Sequence, residues 1–126
     1  MSKVILVVDD EPDILLTVSQ MLEMSGYTVI QAKDGVECIN KLNELEATPD
    51  LVLLDIMMPD VSGWDVAAKI KENPSWNEIP IVFLTAKGDV MSMGMGRLSS
   101  EDYIVKPFNI TDLKERIDKV LNKVKK

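Results

Sequence analysis

Five polar residues stand where apolar runs end. Asp9 and Asp10 follow the run over 4–8, Asp55 closes Leu51-Val52-Leu53-Leu54, Thr85 follows residues 81–84, and Lys106 follows Tyr103-Ile104-Val105. A carboxylate embedded in apolar sequence must be neutral, paired or bound to a cation, because a lone buried charge is very costly. Three carboxylates gathered in one place repel one another unless a cation joins them. The chain has no histidine, and its single cysteine, Cys38, sits in a different segment. The ligands would therefore be hard oxygens, and Mg²⁺, which takes few protein ligands and keeps several waters, suits them better than Ca²⁺. With its charge shared by such an ion, Asp55 can approach an anionic phosphoryl donor as a nucleophile and become an aspartyl phosphate. Lys106 would neutralise the new phosphoryl oxygens and Thr85 would donate a hydroxyl hydrogen bond to one of them. Backbone N–H groups beyond Met57 and Thr85 would complete the cradle.

These residues can meet only if strands deliver them to a common edge. Residues 3–8 form a continuous β-branched run, the pattern of a strand covered on both faces. Pro12 then opens a helix whose stripe is Ile14, Leu15, Val18, Met21 and Leu22, and Gly26 stops it. Residues 27–32 alternate like an edge strand. A turn at Asp34-Gly35 leads to a second helix with Val36, Ile39, Leu42 and Leu45 as its stripe. Residues 50–55 read as the central strand. A third helix over 63–72 puts Val66, Ala67 and Ile70 inward and ends before Pro74. Residues 79–84 read as strand four, 89–98 as a weaker helix carrying Gly94 and Gly96, 102–105 as strand five, and 110–124 as a last helix capped by Thr111 or Asn109. Alternation of this kind makes a parallel sheet with helices on both faces, since such strands are joined by right-handed crossovers. In the doubly wound order 2-1-3-4-5, strands one and three are neighbours where the winding reverses, which would set Asp9 and Asp10 beside Asp55.

Composition bounds the function. At 126 residues and 46% apolar, the chain suits one domain, expected over residues 1–126 with no output domain. A net charge of −7 argues against direct contact with nucleic acid. No apolar run approaches the ~20 residues of a membrane span, and nothing at the N-terminus has a signal-peptide pattern. One unpaired cysteine fits a reducing compartment, so a cytoplasmic location is expected.

The motifs Val7-Val8-Asp9-Asp10-Glu11, Leu54-Asp55-Ile56-Met57-Met58-Pro59 with Gly63, Leu84-Thr85-Ala86, and Asp102-Tyr103-Ile104-Val105-Lys106-Pro107-Phe108 resemble those of the receiver domain of two-component response regulators. The resemblance is to the stand-alone chemotaxis type and covers essentially the whole chain. It implies a flavodoxin-like (βα)5 fold and a phosphorylation-activated switch rather than a turnover enzyme. By this resemblance Asp55 is the phosphoacceptor, and Asp10 and Asp55 bind Mg²⁺ directly. Asp9 assists, and Met57 offers its backbone carbonyl. Thr85 is then the switch hydroxyl, Tyr103 its rotating aromatic partner, and Lys106 the phosphate-binding lysine. A histidine kinase or small phosphodonor would supply the phosphoryl group. A downstream protein would read the surface of the 89–98 helix, strand five and the last helix, and the chain would be a monomer or weak dimer. Residues 91–100, with Gly94, Gly96 and Ser99-Ser100, depart from the Ala-rich helix and Gly-Ala turn usual in the family.

Each motif alone has a plainer role. Asp9-Asp10 could cap a helix, Asp55 could end a strand, Tyr103 could simply pack, and the methionines could fill the core. Co-occurrence at four strand ends favours a site. The rival function is a Mg²⁺-dependent aspartyl-phosphate enzyme such as a phosphatase, which needs a second acid near the nucleophile. Met57, two residues beyond Asp55, cannot act as one. A phosphorelay shuttle is a further alternative. Met57 and Lys87 would also border the path of a hydrolytic water, and an apolar Met57 would slow loss of the phosphate.

Overall fold

The computed structural model describes residues 3–56, 58, 61–86, 102–106 and 109–124, with backbone placement alone at 85–86, 102–103, 105–106, 110 and 123–124. The elements run β1 (Val4–Val8), α1 (Pro12–Met24), β2 (Thr28–Ala32), α2 (Gly35–Glu44), β3 (Leu51–Asp55), α3 (Gly63–Glu72), β4 (Ile81–Ala86), β5 (Asp102–Lys106) and α4 (Ile110–Val124). The helix expected over 89–98 lies outside the described residues.

All neighbouring strands pair in parallel, in the order β2-β1-β3-β4-β5. Side chains alternate across the sheet and build two cores, as a period of two requires. On one face Leu6, Val8, Val52, Leu54, Ile81 and Phe83 meet Cys38 and Leu42 of α2 and Val66, Ala67 and Ile70 of α3. On the other, Ile5, Val7, Leu51, Leu53, Val82, Leu84 and Ile104 meet Val18 and Leu22 of α1 and Leu113, Ile117, Val120 and Leu121 of α4. The three-layer, doubly wound α/β arrangement is thus as the alternation predicts. The central strands read as continuous apolar runs because neither face meets water.

Local chemistry sets the boundaries. Pro12 opens α1, and Gly26 follows it at φ 97°, a left-handed conformation that glycine adopts without a Cβ clash. Asp34 caps α2 by accepting the Glu37 N–H at 2.8 Å. Of the two candidate caps for the last helix, Asn109 takes the role, accepting the Asp112 N–H at 2.7 Å. Three expectations are corrected. β4 begins at Ile81 rather than 79, because the Ile79 N–H turns back to the Trp76 carbonyl at 3.0 Å and Ile79 packs with Trp76 beneath α3. Val36 is not on the inner stripe of α2 but 54% exposed, with Cys38 inward in its place. Met24, at 82% exposure, is no core filler. A tie not foreseen from sequence joins the β2 entrance to the last helix: the Tyr27 hydroxyl donates to the Asp118 carboxylate, which also meets Lys114 at 2.8 Å.

Cys38 is fully buried in the α2–α3 core, and burial pushes its thiol up to about 12. A shift from 9.0 to about 12 lowers the thiolate fraction roughly a thousandfold. The native protein is therefore expected to resist alkylation by iodoacetamide at pH 8 for hours, while protein in urea reacts within minutes. Comparable rates in the two states would contradict this placement.

Candidate functional site

The site is assembled at the C-terminal edge of the sheet. Val8 pairs with Leu54 at the end of the β1–β3 ladder, so Asp9 and Asp10 leave β1 level with Asp55, the last residue of β3. One carboxylate oxygen from each of Asp9, Asp10 and Asp55 falls within a group whose members all lie within 4.8 Å of one another. Asp9 is fully buried, Asp55 is 4% exposed, and Asp10 is half-buried. The three residues foreseen as a cluster are thus brought together. The geometry follows from the fold, since β1 and β3 are adjacent across the point where the winding reverses.

Hydrogen bonds hold the cluster in place. The Asp9 N–H donates to the Ala32 carbonyl of β2 at 3.2 Å, and an oxygen of its carboxylate accepts the Glu11 N–H at 2.9 Å. The plainer reading of Asp9 therefore holds in part, because it does shape the turn into α1. The N-cap position itself is Glu11, whose side chain does not cap the helix. Asp55 pairs in register with Leu84, and the Ile56 N–H donates to the Leu84 carbonyl at 3.2 Å.

Three carboxylates at this spacing, two of them buried, offer only oxygen donors. That set fits a small hard divalent cation of the kind that keeps waters among its ligands. Thr85 and Lys106 lie at the same edge by register, Thr85 opposite Val105 and Lys106 opposite Ala86. Tyr103 pairs with Phe83 two positions earlier. The side chains of Thr85, Tyr103 and Lys106, and all of Met57 and Lys87, lie outside the described residues.

One contributor entered the sequence reading only as part of the receiver-like motif, with no role attached. Gly63 opens α3 directly beneath Asp55, where a Cβ would come within 2.4 Å of the Asp55 carbonyl oxygen and 2.7 Å of the Ile56 Cα. A glycine eight residues after an aspartate suggests a turn, and only tertiary contact shows what it accommodates.

Known proteins resemble this chain in sequence and in fold. The model of the response regulator receiver domain family matches residues 5–118. The alkaline phosphatase synthesis transcriptional regulatory protein PhoP of Bacillus subtilis is 39% identical over 124 residues, 98% of this chain and 50% of that protein. The phosphate regulon transcriptional regulatory protein PhoB of Escherichia coli is 38% identical over 125 residues, 98% of this chain and 54% of that protein. This chain spans about half the length of these relatives. Among solved structures, the response regulator protein TrrA of Thermotoga maritima, in complex with Mg²⁺-BeF, superposes with a TM-score of 0.82 at 37% identity, covering 94% of this chain and 98% of that one.

Proposed function

The chain belongs to the response regulator receiver domain family, and from that premise we propose that it is a phosphorylation-driven switch with Asp55 as phosphoacceptor. The observation that carries this reading is the convergence of Asp9, Asp10 and Asp55 at one sheet edge with ligand atoms within 4.8 Å of one another. Asp10 and Asp55 would hold Mg²⁺, with Asp9 assisting and the Met57 carbonyl completing the protein ligands. The Mg²⁺ bound to the relative from Thermotoga maritima supports that choice of ion. When bound, the ion supplies charge neutralisation that lets an anionic carboxylate approach an anionic phosphoryl group.

In the transfer, an Asp55 carboxylate oxygen forms a bond to phosphorus. The bond from phosphorus to the donor breaks, and the donor keeps the electron pair, leaving as acetate or as the imidazole of a kinase histidine. Lys106 neutralises the transferred phosphoryl oxygens, Thr85 donates to one of them, and Tyr103 follows Thr85. The placement of β4 next to β3 and of β5 next to β4, with Thr85 and Lys106 at the same edge of the sheet, supports these roles. No separate substrate is turned over, since the phosphoryl group ends on the protein and is lost only by hydrolysis of the aspartyl phosphate.

The relatives named as transcriptional regulators are about twice as long as this chain. For the region in hand, a net charge of −7 supports output through a protein contact rather than through the phosphates of nucleic acid. Among the described residues no helix is long and apolar enough to cross a membrane. Incubation with acetyl phosphate and Mg²⁺, read by intact mass, should add one phosphoryl group per chain, and chelator should prevent it. Equal incorporation with and without the ion would refute the magnesium-dependent reading.

A further inference from the structure

We propose that Gly63 is a positioning residue for Asp55: the first turn of α3 presses on the Asp55–Ile56 peptide so closely that the residue at 63 sets where the Asp55 carboxylate stands. This rests on the reading of Asp55 as metal ligand and phosphoacceptor. A Cβ at position 63 would lie 2.4 Å from the Asp55 carbonyl oxygen, 2.7 Å from the Ile56 Cα and 3.1 Å from the Asp55 carbonyl carbon. Every one of these atoms is backbone, so no rotamer change can relieve the clash. The contact is also a bonded one, because the Gly63 N–H donates to the Ile56 carbonyl at 2.7 Å.

Neither side of this contact can move freely, but one is weaker. The helix is fixed by its cap, the Ser62 hydroxyl accepting the Asp65 N–H at 3.2 Å, and by Val66, Ala67 and Ile70 in the core. Trp64, next to Gly63, rests edge-on against Phe83 of β4 with ring centroids 4.7 Å apart. The register with β1 runs to Leu54 and the register with β4 to Asp55, so the Asp55–Ile56 peptide lies where both ladders end. Added bulk at 63 is therefore relieved at the Asp55–Ile56 peptide, the segment that carries the reactive carboxylate. Metal binding and phosphoryl transfer both depend on that carboxylate's position, and a displacement of about 1 Å can cost on the order of a hundredfold in rate.

Gly35 supplies a matched control. It also begins a helix, and a Cβ there would meet Val66 Cγ2 at 2.8 Å and Val61 Cβ at 3.1 Å, but no backbone atom of Asp55 or Ile56. Gly63→Ala and Gly35→Ala should therefore both lower the melting temperature, whereas only Gly63→Ala should strongly weaken the site. Measured well below both melting temperatures, the Mg²⁺ dissociation constant should rise about tenfold in Gly63→Ala and stay within about twofold in Gly35→Ala. Labelling by acetyl phosphate at saturating Mg²⁺ should slow on the order of ten- to a hundredfold in the first variant only. Equal effects of the two variants, or no effect of Gly63→Ala on the ion, would overturn the assignment.

A second measurement needs no variant. If Gly63 clamps the Asp55–Ile56 peptide, Mg²⁺ should slow hydrogen exchange of the Gly63 amide in the native chain. Unchanged exchange on saturation with Mg²⁺ would overturn the proposal even if Gly63→Ala failed to fold. Failure of the native chain to bind Mg²⁺ or take up phosphate would instead refute the function proposed for Asp55.

Discussion

Asp55→Asn is expected to abolish phosphoryl incorporation altogether while making the metal-free protein more stable. Both effects come from one carboxylate. An amide has no anionic oxygen to attack phosphorus, so loss of labelling should be complete rather than partial. The same change removes one of three negative charges whose ligand atoms lie within 4.8 Å, and relief of that repulsion should add about 1–2 kcal/mol to stability in the absence of divalent ion. Native protein should gain more from Mg²⁺ than the variant does, because binding to the folded state alone stabilises by about 2.7 kcal/mol at a hundredfold excess over Kd. Urea unfolding of both proteins, with and without Mg²⁺, tests this. A variant that is less stable than the native chain without Mg²⁺ would show that Asp55 supports the fold rather than straining it.

Phe83→Ala is expected to have the largest effect on stability of any single truncation in the α2–α3 core. Phe83 is 1% exposed, sits on β4 among Leu54, Val66 and Ile81, and carries the edge contact to Trp64. Truncating a buried phenylalanine costs about 3–5 kcal/mol, a large part of the 5–15 kcal/mol typical of a whole domain. For a chain of this size that lowers the melting temperature on the order of 10–20 °C. Phe83→Leu keeps most of the volume and should cost less than about 1.5 kcal/mol. Trp64 emission should shift to longer wavelength in Phe83→Ala as water reaches the ring. A melting temperature within a few degrees of the native value would contradict the packing described for this face.

Much of the scaffold could be read directly from the chain. Val4–Val8 and Leu51–Asp55 could be placed because strands buried on both faces leave uninterrupted apolar runs, and Pro12, Gly26, Asp34 and Asn109 act through local chemistry that spacing reveals. The convergence of Asp9, Asp10 and Asp55 was legible once the order of strands was assumed, since parallel pairing puts all strand ends on one edge. What escaped was tertiary. Ile79 continues the apolar run of β4 in sequence, yet its N–H is taken by Trp76 and it belongs to the preceding turn. Val36 has the spacing of an inward residue, but α2 is turned so that Cys38 and Leu42 face the sheet. Tyr27 and Asp118 are 91 positions apart, and nothing local links them. Gly63 stood in the receiver-like motif and at the start of the third helix, but its closeness to the Asp55 backbone exists only in the folded chain.

Reductive trapping tests the central claim most directly. Borohydride converts an aspartyl phosphate to the corresponding alcohol, leaving homoserine where the phosphoryl group had been. After treatment with acetyl phosphate and Mg²⁺, peptide mapping should find homoserine at position 55, and none there when Mg²⁺ is chelated or the donor withheld. Trapping at Asp9 or Asp10 instead, or at position 55 regardless of Mg²⁺, would contradict the account of Asp55 as a magnesium-dependent phosphoacceptor.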